Sequence, residues 1–351
     1  MSSAGERKQP ADGADPRLDD RGYDGLIVVS FGGPEGPDDV IPFLENVTRG
    51  RGIPRERLAE VGHHYDLFGG VSPINRQNRE LISTVEAELT AHGIELPVYL
   101  GNRNWHPYLV DTLTTMSTRG VRRAIGILAA AQRTYSGCLQ YKENVRDARA
   151  ALSRNGSHDV EIVYVSDWHE HPGFVEANAD QVRQAFERLP ADKRDRARLI
   201  FTAHSVPTTM AAQYPYERQL RASAALIANA VFSDPRTLRV PPTDWTLVYQ
   251  SRSGRPGDPW LEPDVCEYLR AAREQGLDAA VLCPVGFLCD HVEVLYDLDV
   301  EAAQLCQESG IAMERASAVN VHPRFIDALA DAVTDVWRRY VGKRPVAVGT
   351  L

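Results

Sequence analysis

Short runs of apolar, β-favouring residues alternate along the chain with longer stretches whose apolar positions recur every three to four residues. The runs at 24–32, 97–101, 123–129, 160–166, 198–204, 246–251 and 279–284 predict strands. Most are apolar throughout instead of alternating with polar residues, as expected of strands covered on both faces by helices. The periodic stretches at 74–92, 107–118, 135–154, 173–189, 216–231, 263–275, 291–308 and 322–340 predict helices. Strand and helix alternate almost throughout, so the expected fold is α/β with parallel, doubly wound sheets. Four strands fall before residue 167 and three after 197, which suggests two similar halves, 22–170 and 171–320. The last helix, 321–341, is long enough to pack back on the first half. A length of 351 residues also exceeds what one hydrophobic core usually supports.

Composition narrows the class. Residues 1–21 are rich in Asp, Arg, Gly, Ser and Pro and lack an apolar stretch. They are expected to form a disordered extension, neither signal peptide nor anchor. Residues 342–351 are expected to be a frayed tail. No apolar run approaches the roughly 20 residues that cross a bilayer. Five cysteines, an odd number with no C-x-x-C pair, argue against a disulfide framework or zinc finger and fit a reducing cytoplasm. A net charge of −9 argues against non-specific nucleic-acid binding. It leaves room for an anionic small substrate, because local arginines outweigh distant charge.

Open α/β sheets bind ligands beyond the C-terminal ends of their strands. The strand ends here are polar or glycine-rich: Phe31-Gly32-Gly33-Pro34, Gly101-Asn102-Arg103-Asn104-Trp105, His204-Ser205-Val206-Pro207, Gln250-Ser251-Arg252 and Pro284-Val285-Gly286-Phe287. After the last of these come Glu293, Asp297 and Glu301, spaced i, i+4, i+8. On an α-helix they share one face, drifting about 40° per step. No Lys or Arg lies between Asp290 and Glu301. Such a row is either solvated or suited to cations that take oxygen ligands. His204 is a candidate proton acceptor or metal ligand at a strand end, or simply the neighbour of a helix cap at Ser205. Arg49, His64 and Ser72 lie in an early cluster of basic and hydroxyl groups, where an ordinary surface loop with a cap at Ser72 is equally consistent. No Walker A sequence, G-x-G-x-x-G or G-x-S-x-G appears. His169 and His171 flank Glu170, but the Pro172 that follows favours a loop over a metal site.

These strand-end segments, together with Gly69-Gly70-Val71-Ser72-Pro73-Ile74-Asn75 and Pro259-Trp260-Leu261-Glu262-Pro263-Asp264, resemble the ferrochelatase family in order and spacing from residue 23 to 341. Their detail is similar to the actinobacterial branch of coproporphyrin III ferrochelatases. The resemblance implies two flavodoxin-like, chelatase-like halves with a porphyrin between them, and insertion of Fe²⁺ into coproporphyrin III. It implies that His204 takes a pyrrole proton or binds the incoming iron and that Glu293 faces it. Asp297 and Glu301 would form an acidic metal or proton path along a helix with π character. Tyr141 would contact a porphyrin propionate, and Arg49, His64 and Ser72 would lie near other propionates. Iron is a substrate in this reading and no resident cofactor is needed. The family expectation is a monomer with transient contacts to other haem-pathway proteins.

The chain departs from the family pattern in places. Firmicute relatives carry a tyrosine iron ligand where this chain has Phe31, and some carry histidine where it has Asn104. Many actinobacterial members hold a [2Fe–2S] cluster through one cysteine after the A-H-S block and three in the tail. This chain has no Cys at 208–216 or after Cys306, so no cluster is expected. Alternatives at this point are a ferrochelatase acting on protoporphyrin IX, a cobalt chelatase for another tetrapyrrole, and a non-catalytic porphyrin carrier.

Overall fold

A computed structural model describes residues 22–50, 52–233, 245–253 and 257–340. The expected extension at 1–21 and tail at 342–351 lie outside the described residues.

The first half contains β1 (Gly25–Ser30), α1 (Pro37–Val47), α2 (Arg55–Asp66), α3 (Ile74–Ala91), β2 (Val98–Asn102), α4 (Leu109–Thr118), β3 (Arg123–Leu128), a π-helix (Tyr135–Leu139), α5 (Gln140–Arg154) and β4 (Glu161–Tyr164). The second contains α6 (Pro172–Arg188), a 3-10 turn (Arg194–Arg196), β5 (Arg198–His204), α7 (Thr208–Gln213), α8 (Tyr216–Phe232), β6 (Trp245–Gln250), α9 (Val265–Glu274) and β7 (Ala279–Cys283). It continues through α10 (Val292–Val294), a second π-helix (Leu295–Ala302), α11 (Ala303–Ser309), β8 (Ala312–Arg315) and α12 (Pro323–Tyr340).

Two four-stranded parallel sheets share one winding, β2-β1-β3-β4 and β6-β5-β7-β8. The fold is therefore α/β with doubly wound parallel sheets, as the apolar runs predict. β1, β3 and β7 are buried at every position, because helices cover both faces. Winding reverses direction between β1 and β3, and again between β5 and β7. Each reversal opens a crevice beyond the strand ends, where doubly wound folds hold ligands. His204 ends β5 and the Pro284–Phe287 turn follows β7, so both border the crevice of the second sheet.

The halves are not independent bodies. α6 turns Phe174 and Ala177 to the core of the first half, and Val175, Ala179 and Val182 to the core of the second. Phe325, Leu329 and Val333 of α12 join Leu26, Val85 and Ile125 in the first core. Val292, just before the π-helix, is buried among Val40, Phe43 and Tyr65 of α1 and α2. Three seams thus set how the crevices face each other.

The apolar pattern does not predict α1, α2, α7 or β8. α1 carries Pro42 inside it, and α2 is mainly charged with few buried positions. β8 is an edge strand, half-exposed along its length, so no continuous apolar run marks it. The helix expected at 291–308 is an α–π–α composite, with the π character that the family resemblance implies and that the apolar periodicity does not show.

Close approach of α6 and α12 depends on Gly173. An added Cβ there would lie 2.3 Å from the backbone oxygen of Arg324. Gly173→Ala should destabilise the fold by about 1–3 kcal/mol, read by denaturant unfolding. Unchanged stability would contradict this helix–helix seam.

Candidate active site

His204 is held by its own strand end. Its Nδ1 lies against the carbonyl oxygen of Ser205, which can only accept. Nδ1 therefore carries the proton, and in the neutral ring Nε2 keeps its lone pair. Tyr216 Oη donates to the His204 carbonyl at 3.0 Å, and Ser205 Oγ donates to the carbonyl of Leu261 at 2.8 Å. Ser205 therefore does not cap a helix, and the cap reading for this corner fails. Gly286 packs beneath, since a Cβ there would lie 2.6 Å from Ala203 Cβ. Only glycine lets the turn after β7 approach β5 so closely.

Nε2 of His204 faces Glu293 Oε2 at 4.0 Å. The two side chains are 34% and 45% exposed, so the pair opens to solvent instead of lying in the core. A second imidazole approaches the same oxygen, with His291 Nε2 at 3.8 Å. His291 caps α10, its Nδ1 accepting from the Val294 N–H at 3.4 Å. In the neutral ring this leaves the proton on Nε2, directed toward Glu293. One carboxylate thus sits between an imidazole that can accept and one that can donate.

Behind Glu293 the acids are not a solvated face. Asp297 accepts from Gln250 Nε2 at 3.1 Å and from the Ser251 hydroxyl. Ser251 adopts φ 59°, a left-handed conformation that is costly for a non-glycine residue and brings its hydroxyl to the acid. Burial pushes the Asp297 carboxyl up to about 7; its two hydrogen bonds oppose the rise, while the charges on Glu293 and Glu301 add to it. Glu301 is raised chiefly by burial and by Asp264, and is partly relieved by a hydrogen bond from Tyr296. The α-helical drift expected of this row is corrected by the π-helix. Hydrogen bonding from i to i+5 widens the turn, so four residues fall short of a full turn instead of overshooting it. Among the described residues, no three His, Cys, Asp or Glu side chains gather closely enough to hold a metal.

The expected propionate partners are dispersed. His64 stacks on Tyr296 with ring centres 3.6 Å apart and planes within 7°, clasping α2 to the π-helix. Burial, followed by the charges of Arg57 and His63, lowers its pKa, so it is neutral at pH 7. Tyr141 is a core residue, 5% exposed, within electrostatic reach of Arg103 and Glu293. Ser72 is buried against Gly33 and does not cap α3, whose cap position is Pro73. Arg49 is exposed at the end of α1, where its charge acts on Tyr108. Phe31 packs edge-on against Phe43. His171 caps α6 and lies 3.7 Å from Asp331, and His169 lies 3.9 Å from Glu170.

A flat ring cannot lie between the tips of His204 and Glu293 as they stand. One van der Waals contact of roughly 3.5 Å on each face requires about 7 Å, against the 4.0 Å observed. The expected slot is thus closed at this point, and a ring enters only when the two exposed side chains swing apart.

The raised Asp297 carboxyl has a consequence for stability. The folded chain keeps this proton where the unfolded chain has already lost it. Stability therefore falls as pH rises from the ordinary carboxylate range to about 7. Asp297→Asn should become more stable than the parent across that window, by on the order of 2 kcal/mol at pH 8 and with no gain near pH 4. Denaturant unfolding at both pH values checks this; a gain that is the same at both contradicts it.

A ferrochelatase family profile matches residues 23–336. The coproporphyrin III ferrochelatase of Streptomyces coelicolor is 49% identical over 346 residues, covering 95% of this chain and 91% of its own. That of Mycolicibacterium smegmatis is 48% identical over 332 residues, covering 92% and 94%. A ferrochelatase of Rhodopirellula baltica is 48% identical over 314 residues, covering 89% and 86%. Among solved structures, SirB from Bacillus subtilis with Fe³⁺ superposes with TM-score 0.52 at 12% identity, covering 91% of this chain and 97% of its own. That likeness shows the fold alone.

Proposed function

The chain belongs to the ferrochelatase family, and from that premise we propose that it inserts Fe²⁺ into coproporphyrin III to form coprohaem during haem biosynthesis. The observation that carries the reading is Nε2 of His204 facing the Glu293 carboxylate at 4.0 Å, with Nδ1 turned to the Ser205 carbonyl. Insertion replaces two pyrrole protons by one Fe²⁺. Nε2 accepts a pyrrole proton, and the resulting imidazolium is stabilised by the Ser205 carbonyl behind it and the carboxylate in front. Glu293 presents oxygen to the iron or takes the second proton. Asp297, poised near pH 7, and Glu301 then pass protons and metal along the π-helix. A site of one imidazole and one carboxylate suits a metal that must be released, unlike a closed four-ligand cage.

Coproporphyrin III is favoured as substrate by relatives that share nearly half their residues with this chain and bear that name. Arg49, exposed at the end of α1, and Arg103, whose charge acts on Tyr141, place positive charge on the first half for its four propionates. A porphyrin carrier would not need raised carboxyls behind Glu293. No [2Fe–2S] cluster forms part of the proposal, since no Cys occurs at 208–216 or after Cys306. Among the described residues, no helix is long and apolar enough to cross a membrane. We place the chain in the cytoplasm as a monomer, with transient haem-pathway partners.

Anaerobic incubation with Fe²⁺ and coproporphyrin III, followed by absorption spectroscopy, is the test. His204→Ala and Glu293→Gln should each lower insertion by about 10²-fold or more while the porphyrin still binds. Near-normal turnover in either removes that residue from the chemistry. Protoporphyrin IX should turn over more slowly under the same conditions, and an equal or faster rate would overturn the substrate assignment.

A further inference from the structure

Arg315 contacts both flanks of the short segment that bears Glu293 and Asp297. Arg315, the last residue of β8, donates from Nη1 to Asp290 Oδ1 at 2.7 Å. Its Nε and Nη2 donate to the two oxygens of Asp299 at 2.6 and 2.8 Å. Asp290 lies three residues before Glu293, and Asp299 lies six after it. One guanidinium therefore bridges both flanks of the stretch that carries the acids. Asp290 is tied further to the frame: it accepts from the Ala318 N–H at 3.1 Å and from Asn320 Nδ2 at 2.9 Å, and its own N–H donates to Asn320 Oδ1 at 3.1 Å.

Arg315 and Asp290 are each only 13% exposed. Burial opposes charge on Arg315, but the hydrogen bonds and charges of Asp299 and Asp290 outweigh it and raise its pKa overall. A π-helix is a rare, weakly favoured geometry and needs support from outside itself. A planar fork provides that support in a fixed direction, which an ammonium cannot. The arm to Asp299 reaches a carboxylate 38% exposed, where an ion pair contributes little to stability. Its effect is on the placement of the helix.

We propose that Arg315 is a positioning residue for metal insertion, clamping Asp290 and Asp299 so that Glu293 stands opposite His204. The proposal rests on the reading of His204 and Glu293 as the insertion site. Asp299→Asn weakens one arm and leaves the Asp290 pair intact; Arg315→Lys keeps the charge without the fork. Both should lower kcat by about 10–100-fold with coproporphyrin III affinity unchanged, and Asp299→Asn should do so with the thermal unfolding midpoint unchanged. A crystal structure of Asp299→Asn should show Glu293 displaced from its 4.0 Å approach to His204. Parental kcat in both variants with that approach retained would overturn the clamp. So would a kcat loss that only tracks lost porphyrin affinity or lost folding. A parent chain that inserts no iron would sink the reading of the site instead, and the crystallographic separation would still decide the clamp.

Discussion

The contact between His204 Nδ1 and the Ser205 carbonyl determines what this site can do. It turns Nδ1 to the backbone and leaves Nε2 facing the mouth of the crevice. The contact exists because β5 ends there, in a sheet whose winding reverses between β5 and β7. Gly286 lets the turn after β7 close against Ala203 and direct the following segment back toward the same point. Ordinary parallel-sheet geometry thus brings a base and a carboxylate together from positions 204 and 293.

The chemistry behind that pair depends on burial more than on proximity. A solvated row of acids would be fully ionised at neutral pH and would repel itself. Asp297 avoids this through burial, which raises its carboxyl to about 7 against the hydrogen bonds from Ser251 and Gln250. A carboxyl raised that far gains or loses a proton at little cost near physiological pH. Arg315 offsets the remaining negative charge from outside the helix, through Asp290 and Asp299, and leaves Glu293 and Asp297 available.

Much of this was legible in the sequence. Continuous apolar runs such as 123–129 and 279–284 marked the central strands, because burial on both faces leaves no polar alternation. His204 and Glu293 stood out because they follow strand ends. What stayed hidden depends on long-range contacts. β8 buries too little to show a pattern, so Arg315 could not be linked to an acidic row that looked uncompensated in sequence. The π-turns change side-chain register without changing residue type, so the row was laid out on α-helical spacing. The stack of His64 on Tyr296 joins a helix of weak amphipathicity to a segment more than two hundred residues away, beyond any local signal. Tyr141 was legible only through family resemblance, and both it and Ser72 turn out to be buried.

The central claim is that a tetrapyrrole occupies the space between the imidazole and the carboxylate, although that gap is now 4.0 Å. A crystal structure of the chain with metal-free coproporphyrin III measures this directly. The account predicts the macrocycle between the two side chains, with Nε2 of His204 and the nearer oxygen of Glu293 moved to about 7 Å apart on opposite faces of the ring. A ring bound elsewhere, with the two side chains still in contact, would contradict it.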